Sequence, residues 1–177
     1  MSTIYSKPEI IQALDHEVAG LNEWCMKLDE PLFLTPINGK WSAAEQLEHL
    51  RKASKPLVMA LNLPKFVIRL KVGRPNRKGR SFAAVQEKYE TKLATESIGT
   101  TKFFPDAKLI KNREVIIHDY QKVNRQLLKV INKWSEDDLD NYILPHPLLG
   151  KLTVREMLFF TLHHTRHHGE HLKLLYA

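Results

Sequence analysis

Three capping boxes constrain the fold of this chain more than any other sequence feature. In each, a Ser or Thr is followed three residues later by Glu, and the two residues exchange hydrogen bonds at a helix N-terminus. They begin at Ser6, Ser42 and Thr153, and apolar residues at helical spacing follow each of them. The sequence therefore predicts long helices that begin at these three positions.

Two further helices lie between the second and third boxes. An apolar face at helical spacing predicts a long helix from about Lys111 to Trp134, and Ser81 marks the start of a short helix that reaches about Leu93. No segment alternates between apolar and polar residues as a half-buried strand does. Four long amphipathic helices predict an all-α four-helix bundle, which we expect residues 1–177 to form as a single domain.

The connections suggest how the bundle is ordered. Pro56 is expected to kink or end the second long helix, because proline removes a backbone donor and crowds the preceding turn. The connection from about Asn62 to Ile110 is long enough to carry the chain back along the bundle. The second and third long helices then run parallel, which gives an up-down-down-up order.

Composition excludes several classes of protein. The single cysteine, Cys25, excludes an internal disulfide framework and a cysteine-rich zinc module, and its place on the first helix's apolar face indicates a core residue. No run approaches the roughly 20 apolar residues of a membrane span, and the N-terminus does not resemble a signal peptide. We therefore expect a cytoplasmic protein without a membrane partner.

The net charge of +7 is concentrated in one stretch. Seven basic residues and no acid lie between Lys65 and Arg80, where glycine and proline predict a loop. The simplest interpretation is a solvated basic loop. Alternatively, Arg74, Arg77 and Arg80 bind an anionic group of a small-molecule substrate, with the loop covering the site, or grip nucleic acid. No recognition-helix pattern accompanies the charge, so we do not expect nucleic acid to be the partner.

Five of the nine histidines lie between His163 and His171, on the last predicted helix. On a helical wheel His164 and His168 face the side opposite the charged residues, whereas His163 and His167 face outward. Two histidines four residues apart on one helical face suit the capture of one metal ion. Core histidines that hydrogen-bond to neighbouring side chains are the alternative interpretation.

A third ligand has to come from another helix, and His49 is the candidate. It lies about 10 Å along the second helix from Ser42, and His168 lies about as far from the opposite end of the last helix. Antiparallel packing of these two helices brings both histidines to one level. Glu45, one turn before His49, is a candidate to orient a ligand, although its role in the capping box explains it equally well.

Two segments carry a resemblance to a known family. The sequence KWSAAEQLEHL, which ends at Leu50, and the sequence LPHPLLGKLTVREML, followed by HTRHHGEH up to His171, resemble the DinB-like (damage-inducible) superfamily of four-helix-bundle proteins. The resemblance covers nearly the whole chain and implies an up-down-down-up bundle. It also implies a divalent-metal site formed by His49, His164 and His168, with His171 as a further candidate to support the ligands.

The resemblance implies chemistry as well as a fold. Members of the superfamily include thiol transferases, hydrolases and isomerases, and homodimers are common among them. Imidazole ligands suit several metals, of which we expect zinc or nickel, with iron and manganese as further options. The long basic insertion after the second helix departs from the family's common core.

Three functional hypotheses remain open. Three histidines leave a metal with open positions, where it can lower the pKa of water or hold a thiolate, so the first is a metal-dependent hydrolase or thiol transferase acting on a small molecule. The second is a non-catalytic binding module that uses the basic segment 65–80. The third is a bundle with a vestigial metal site and no reaction.

Overall fold

The computed structural model describes residues 6–95, 101–107, 110 and 112–177. Four long helices form a bundle, as predicted: α1 (Lys7–Met26), α3 (Ala43–Leu61), α6 (Arg113–Ile131) and α8 (Val154–Leu175). The shorter helices are α2 (Glu30–Leu34), α4 (Lys65–Val72), α5 (Phe82–Thr95), a 3-10 turn at Thr101–Phe103 and α7 (Glu136–Asn141). None of the described helices is both long and apolar enough to cross a membrane.

Capping chemistry sets three of the helix starts, as the sequence predicts. Ser6, Ser42 and Thr153 occupy the N-cap positions of α1, α3 and α8, and each exchanges hydrogen bonds with a Glu three residues on. The helix predicted from about Lys111 begins at Arg113 with Asn112 as its N-cap, and Lys111 itself lies outside the described residues.

The ends of the helices fix the up-down-down-up order. The indole of Trp134, just after α6, donates to the carbonyl of Leu61 at the end of α3, so these two helices run parallel. Lys7 at the start of α1 donates to the carbonyl of Trp134, so α1 opposes α6. The hydroxyl of Tyr176, after α8, accepts from the amide of Ala43, so α8 opposes α3. The predicted order is confirmed.

Two apolar clusters fill the bundle. One contains Leu57 of α3 and Leu162 of α8, and the other contains Leu47 of α3 and Leu172 of α8. Along α8, the histidine-rich stretch lies between Leu162 and Leu172, where one cluster gives way to the other. The packing therefore places the histidines between two closely packed apolar clusters.

The structure corrects three local expectations. Helix α3 does not end at Pro56 but continues to Leu61. Part of the segment 65–80, predicted as a loop, forms α4, because Ile68 is buried against the body of the protein. A two-stranded antiparallel hairpin joins α7 to α8, formed by β1 (Ile143–His146) and β2 (Gly150–Thr153), where the sequence predicted no strand.

Candidate metal centre

The side chains of His49, His164 and His168 meet inside the bundle. The Nε2 atom of His164 lies 3.1 Å from Nε2 of His49 and 3.1 Å from Nε2 of His168. One ligand nitrogen from each of the three residues lies within 4.8 Å of the others. The structure therefore brings together the three histidines that the sequence proposed as ligands; metal binding itself stays a prediction.

Hydrogen bonds to carbonyl groups fix the proton positions on two of the rings. Nδ1 of His49 lies 2.9 Å from the main-chain carbonyl of Phe103, and Nδ1 of His168 lies 2.8 Å from Oε1 of Gln46. A carbonyl oxygen only accepts, so both Nδ1 atoms carry the proton. In the neutral rings, both Nε2 atoms therefore present lone pairs toward His164.

Gln46 is held in one orientation by a neighbouring carbonyl. Its Nε2 donates to the main-chain carbonyl of Trp41 at 3.3 Å and lies 3.1 Å from Nδ1 of His171. Because the Trp41 carbonyl accepts only from the amide nitrogen, Oε1 has to face His168. Gln46 thus connects His171 to His168, and it is 2% exposed.

This proton arrangement leaves the cluster one donor short. A proton on Nε2 of His164 satisfies the lone pair of either His49 or His168, but not both with good geometry. A cation at the centre is attracted to all three nitrogens at once. Tetrahedral ligands at 2.0–2.1 Å from a zinc ion are roughly 3.3 Å apart, close to the two separations between neighbouring nitrogens. The donor set fits a divalent metal.

Burial keeps the three rings neutral, which is the form that binds metal. It is the largest cause that lowers the pKa of His49, and it holds the pKa of His164 and of His168 well below the ordinary value. Repulsion from neighbouring histidines lowers the pKa of His164 and of His168 further. A metal therefore displaces few protons when it binds.

Aromatic rings surround the three histidines. Phe160 stacks on His164 with ring centroids 5.0 Å apart, and Trp41 lies 5.2 Å from His49. Phe104 packs edge-on against Trp41, and Tyr89 of α5 lies 6.0 Å from His164. These walls are largely apolar, so they lower the local dielectric constant and strengthen electrostatic interactions at the centre.

Glu45 and His171, the two candidates to support the ligand histidines, have different contacts in the structure. The carboxylate of Glu45 accepts from the backbone amide of Ser42 at 2.8 Å, so Glu45 serves the capping box of α3. Nδ1 of His171 lies within hydrogen-bond distance of Gln46, the orienting residue that the sequence did not point to. Gln46 lies three residues before His49 on α3, and residues three apart share a helical face. This spacing was the sequence signal that could have identified Gln46.

The structure corrects the prediction for His163, one of the two histidines of α8 that were expected to face outward. His163 is 7% exposed, almost as buried as His164 at 6%, because α5 packs over this side of α8. The rings of Tyr89 and Phe82 lie 5.6 and 6.5 Å from the ring of His163. A helical wheel for α8 alone contains no information about α5, so it assigned His163 to solvent.

The basic segment has partners at the other end of α8. Arg77 makes two bonds with the carboxylate of Glu156, at 2.7 and 2.8 Å, and Arg80 donates to the same carboxylate through its backbone at 2.8 Å. Glu156 lies two turns, or about 12 Å, from His164 along α8. In this structure Arg77 and Arg80 of the segment reach Glu156 and Arg74 is exposed, whereas the carbonyl of Phe103 and the ring of Tyr89 of α5 lie beside the histidines.

Comparison with known proteins agrees with this architecture. The sequence profile of the DinB superfamily matches residues 12–172, a range that contains all three histidines. The chain belongs to the DinB superfamily. A relative is YuaE, an uncharacterised protein of Bacillus subtilis (strain 168), which is 28% identical over 158 residues, or 89% of this chain and 87% of the relative.

A solved structure shares the fold of this chain. YfiT from Bacillus subtilis, described as a probable metal-dependent hydrolase with an unusual four-helix bundle topology, superposes with a TM-score of 0.60. The similarity covers 99% of this chain and 89% of YfiT at 15% sequence identity. At this identity the similarity establishes the fold.

Proposed function

We propose that this protein is a metal-dependent enzyme that acts on a small molecule, with His49, His164 and His168 holding a divalent metal. The observation that carries the proposal is the convergence of three Nε2 atoms, two of them fixed as lone pairs by their hydrogen bonds to Phe103 and Gln46. Membership in the DinB superfamily supports it. Zinc and nickel are the metals we expect first, with iron and manganese as further options.

Hydrolysis is the reaction we favour, with thiol transfer to an electrophile as the second. YfiT, which shares the fold, is described as a probable metal-dependent hydrolase. With three protein ligands, a bound metal keeps open positions at which it polarises a substrate and activates water or a thiol. Phe103 and Gln46 hold the rings of His49 and His168 in one orientation, and aromatic side chains line the site.

The walls of the site indicate a substrate with an apolar portion. Trp41, Tyr89 and Phe160 present ring surfaces to the histidines, and Phe104 packs against Trp41. An anionic substrate group remains part of the proposal, but Arg77 and Arg80 are committed to Glu156. Lys52, whose ammonium donates to the carbonyl of Phe104 at 2.6 Å, is the better-placed cation.

Reconstitution tests the proposal. The protein is stripped with a chelator, reloaded with zinc, nickel, manganese or ferrous iron, and assayed on a panel of esters and amides, and on electrophiles with a thiol. We expect turnover that needs metal, is lost in His49→Ala, and is kept in His118→Ala, which removes an exposed histidine of α6. Turnover unaffected by stripping or by His49→Ala contradicts the proposal, and a loaded protein inactive on the whole panel favours the vestigial site.

A binding module that grips nucleic acid through residues 65–80 is the less favoured alternative. Two of its three candidate arginines, Arg77 and Arg80, already pair with Glu156. A phosphate backbone would have to compete with that buried carboxylate for them.

A further inference from the structure

A row of large apolar side chains faces solvent where α3 ends and α4 begins. Phe66 and Leu70, four residues apart on α4, are 72% and 84% exposed, and Met59 and Leu63 just before them are 63% and 44% exposed. We call these four residues the apolar row. Exposed apolar groups clustered in this way mark an interaction surface more often than isolated ones do.

The exposure is built into the fold, because α4 is held firmly from its other side. Ile68 is 2% exposed and points into the core. Lys65 pairs with Asp138 of α7, and the guanidinium of Arg69 lies 4.5 Å from the ring centroid of Tyr142. Lys151 of β2 donates to the carbonyl of Val72 at the end of α4. These contacts fix α4 with Phe66 and Leu70 directed outward.

The sequence around the apolar row is basic. Between Glu48 and Glu87 the sequence contains ten lysines and arginines and no acid. Several of these cations bind the body of the protein, as described for Arg77 and Arg80. Four others, on both sides of the row in sequence, are exposed: Lys55, Lys71, Arg74 and Lys78.

An anionic bilayer offers a partner both for the apolar row and for the exposed cations. Its interface accepts protruding apolar side chains, and its headgroups attract lysine and arginine. Duplex DNA satisfies the cations but leaves Phe66 and Leu70 without an apolar partner. In a two-fold dimer through this face, the same cations would oppose each other, because a two-fold interface pairs a patch with itself.

We propose that the apolar row and the cations around it dock this protein on the surface of anionic lipid bilayers, with α4 lying at the interface. The proposal does not depend on the metal site. It departs from our expectation of no membrane partner, which rested on the absence of a spanning segment. A surface-lying helix needs only one apolar face.

Co-sedimentation with vesicles tests the proposal on the full chain. The vesicles are phosphatidylcholine alone, or phosphatidylcholine mixed with phosphatidylglycerol, in salt near physiological strength. We expect binding to the mixed vesicles only. Phe66→Ser with Leu70→Ser should weaken binding by about tenfold or more, and Lys71→Glu with Arg74→Glu should do the same. Leu174→Ser, which removes an 80% exposed leucine near the end of α8, should bind normally.

The other outcomes overturn the proposal. The proposal is wrong if the protein does not bind the mixed vesicles, or if it binds neutral vesicles equally well. It is also wrong if the Phe66→Ser, Leu70→Ser variant binds like the parent. Light scattering and gel shift on the same proteins identify the alternative occupant. A dimer lost in the Phe66→Ser, Leu70→Ser variant would assign the surface to a second copy, and DNA binding lost in Lys71→Glu with Arg74→Glu would assign it to nucleic acid.

Discussion

Gln46 is the side chain on which the orientation of a ligand histidine depends. It accepts the Nδ1 proton of His168 while its own amide group is fixed by Trp41 and His171. A buried acceptor of this kind holds the ring in the tautomer that binds metal and raises the basicity of the ligand nitrogen. Gln46 is therefore a positioning residue.

Gln46→Leu removes the acceptor with little change in volume. We expect metal affinity, measured by competition titration with a chelating dye, to fall by roughly 10- to 100-fold. Gln46→Glu keeps an acceptor for His168 but cannot donate to Trp41. The metal affinity of this variant should therefore lie between that of the parent protein and that of Gln46→Leu. Gln12→Leu on the exposed face of α1 is the matched control. An unchanged affinity in Gln46→Leu would show that His168 is oriented by something else.

At the scale of elements, the N-terminus of α8 is fastened by Glu156, whose side chain is 1% exposed. Burial alone would raise the pKa of this carboxyl, but Arg77 and the amides of Thr153 and Arg80 hold it below its usual range. The charge is thus fully paired inside the protein, and the segment 77–80 is tied to the last helix.

Glu156→Ala leaves Arg77, Arg80 and the amide of Thr153 without their shared acceptor. We expect it to reduce the free energy of unfolding by roughly 3 kcal/mol in urea titrations. Glu23→Ala, which removes an exposed pair with Lys27, should leave the free energy of unfolding nearly unchanged. Equal effects of the two variants would mean that Glu156 does not fasten the helix.

The hairpin before α8 depends on a neutral histidine. Nδ1 of His146 accepts from the amides of Leu148 and Leu149 at 3.2 and 3.0 Å, which closes the turn. Burial lowers the pKa of His146 from 6.5 to about 4. Between these two pH values His146 is protonated in the unfolded chain but stays neutral in the folded protein. The free energy of unfolding therefore falls as pH decreases through this window.

We expect His146 alone to account for about 2 kcal/mol of stability lost between pH 7 and pH 5. Urea unfolding of His146→Ala should show lower stability at pH 7 but a smaller loss on going to pH 5. His16→Ala, which removes an exposed histidine, should keep the full pH dependence of the parent. An undiminished pH dependence in His146→Ala would contradict this account of the turn.

Local chemistry explains which elements the sequence could predict. The capping boxes at Ser6, Ser42 and Thr153 act within four residues, so the starts of α1, α3 and α8 were readable from the sequence. The hairpin was not, because its strands are four residues long and β1 contains Pro145. Helix α4 was not predicted because Gly73, Pro75 and Gly79 follow it, and it forms because Ile68 packs against distant parts of the chain.

For the whole molecule, the site was predictable to the extent that helix phase determines it. Phase alone selected His164 and His168, and the antiparallel order of α3 and α8 brought His49 to their level. Burial of His163 and the tie between Gln46 and His168 depend on packing of α5 against α8 and of α3 against α8. Such contacts join residues distant in sequence, and no local pattern encodes them.

The arrangement of charge also emerges only at this scale. Aromatic rings line the candidate metal centre, whereas much of the net charge of +7 arises from residues 49–86, a stretch of sequence without acids. Phe66 and Leu70 of the apolar row lie on α4, whereas the three histidines lie on α3 and α8, and the two features have different partners in our account. Loss of the apolar row should therefore leave metal binding intact.

The central claim is that three particular histidines hold one metal ion, and α8 offers its own control. Equilibrium dialysis against zinc or nickel, followed by elemental analysis, gives the number of ions per chain. We predict one ion for the parent protein and for the double variant His163→Ala with His167→Ala, which removes a pair with the same spacing on the same helix. We predict none for His164→Ala with His168→Ala. Retention of the ion in the second double variant, or its loss only in the first, would contradict the account.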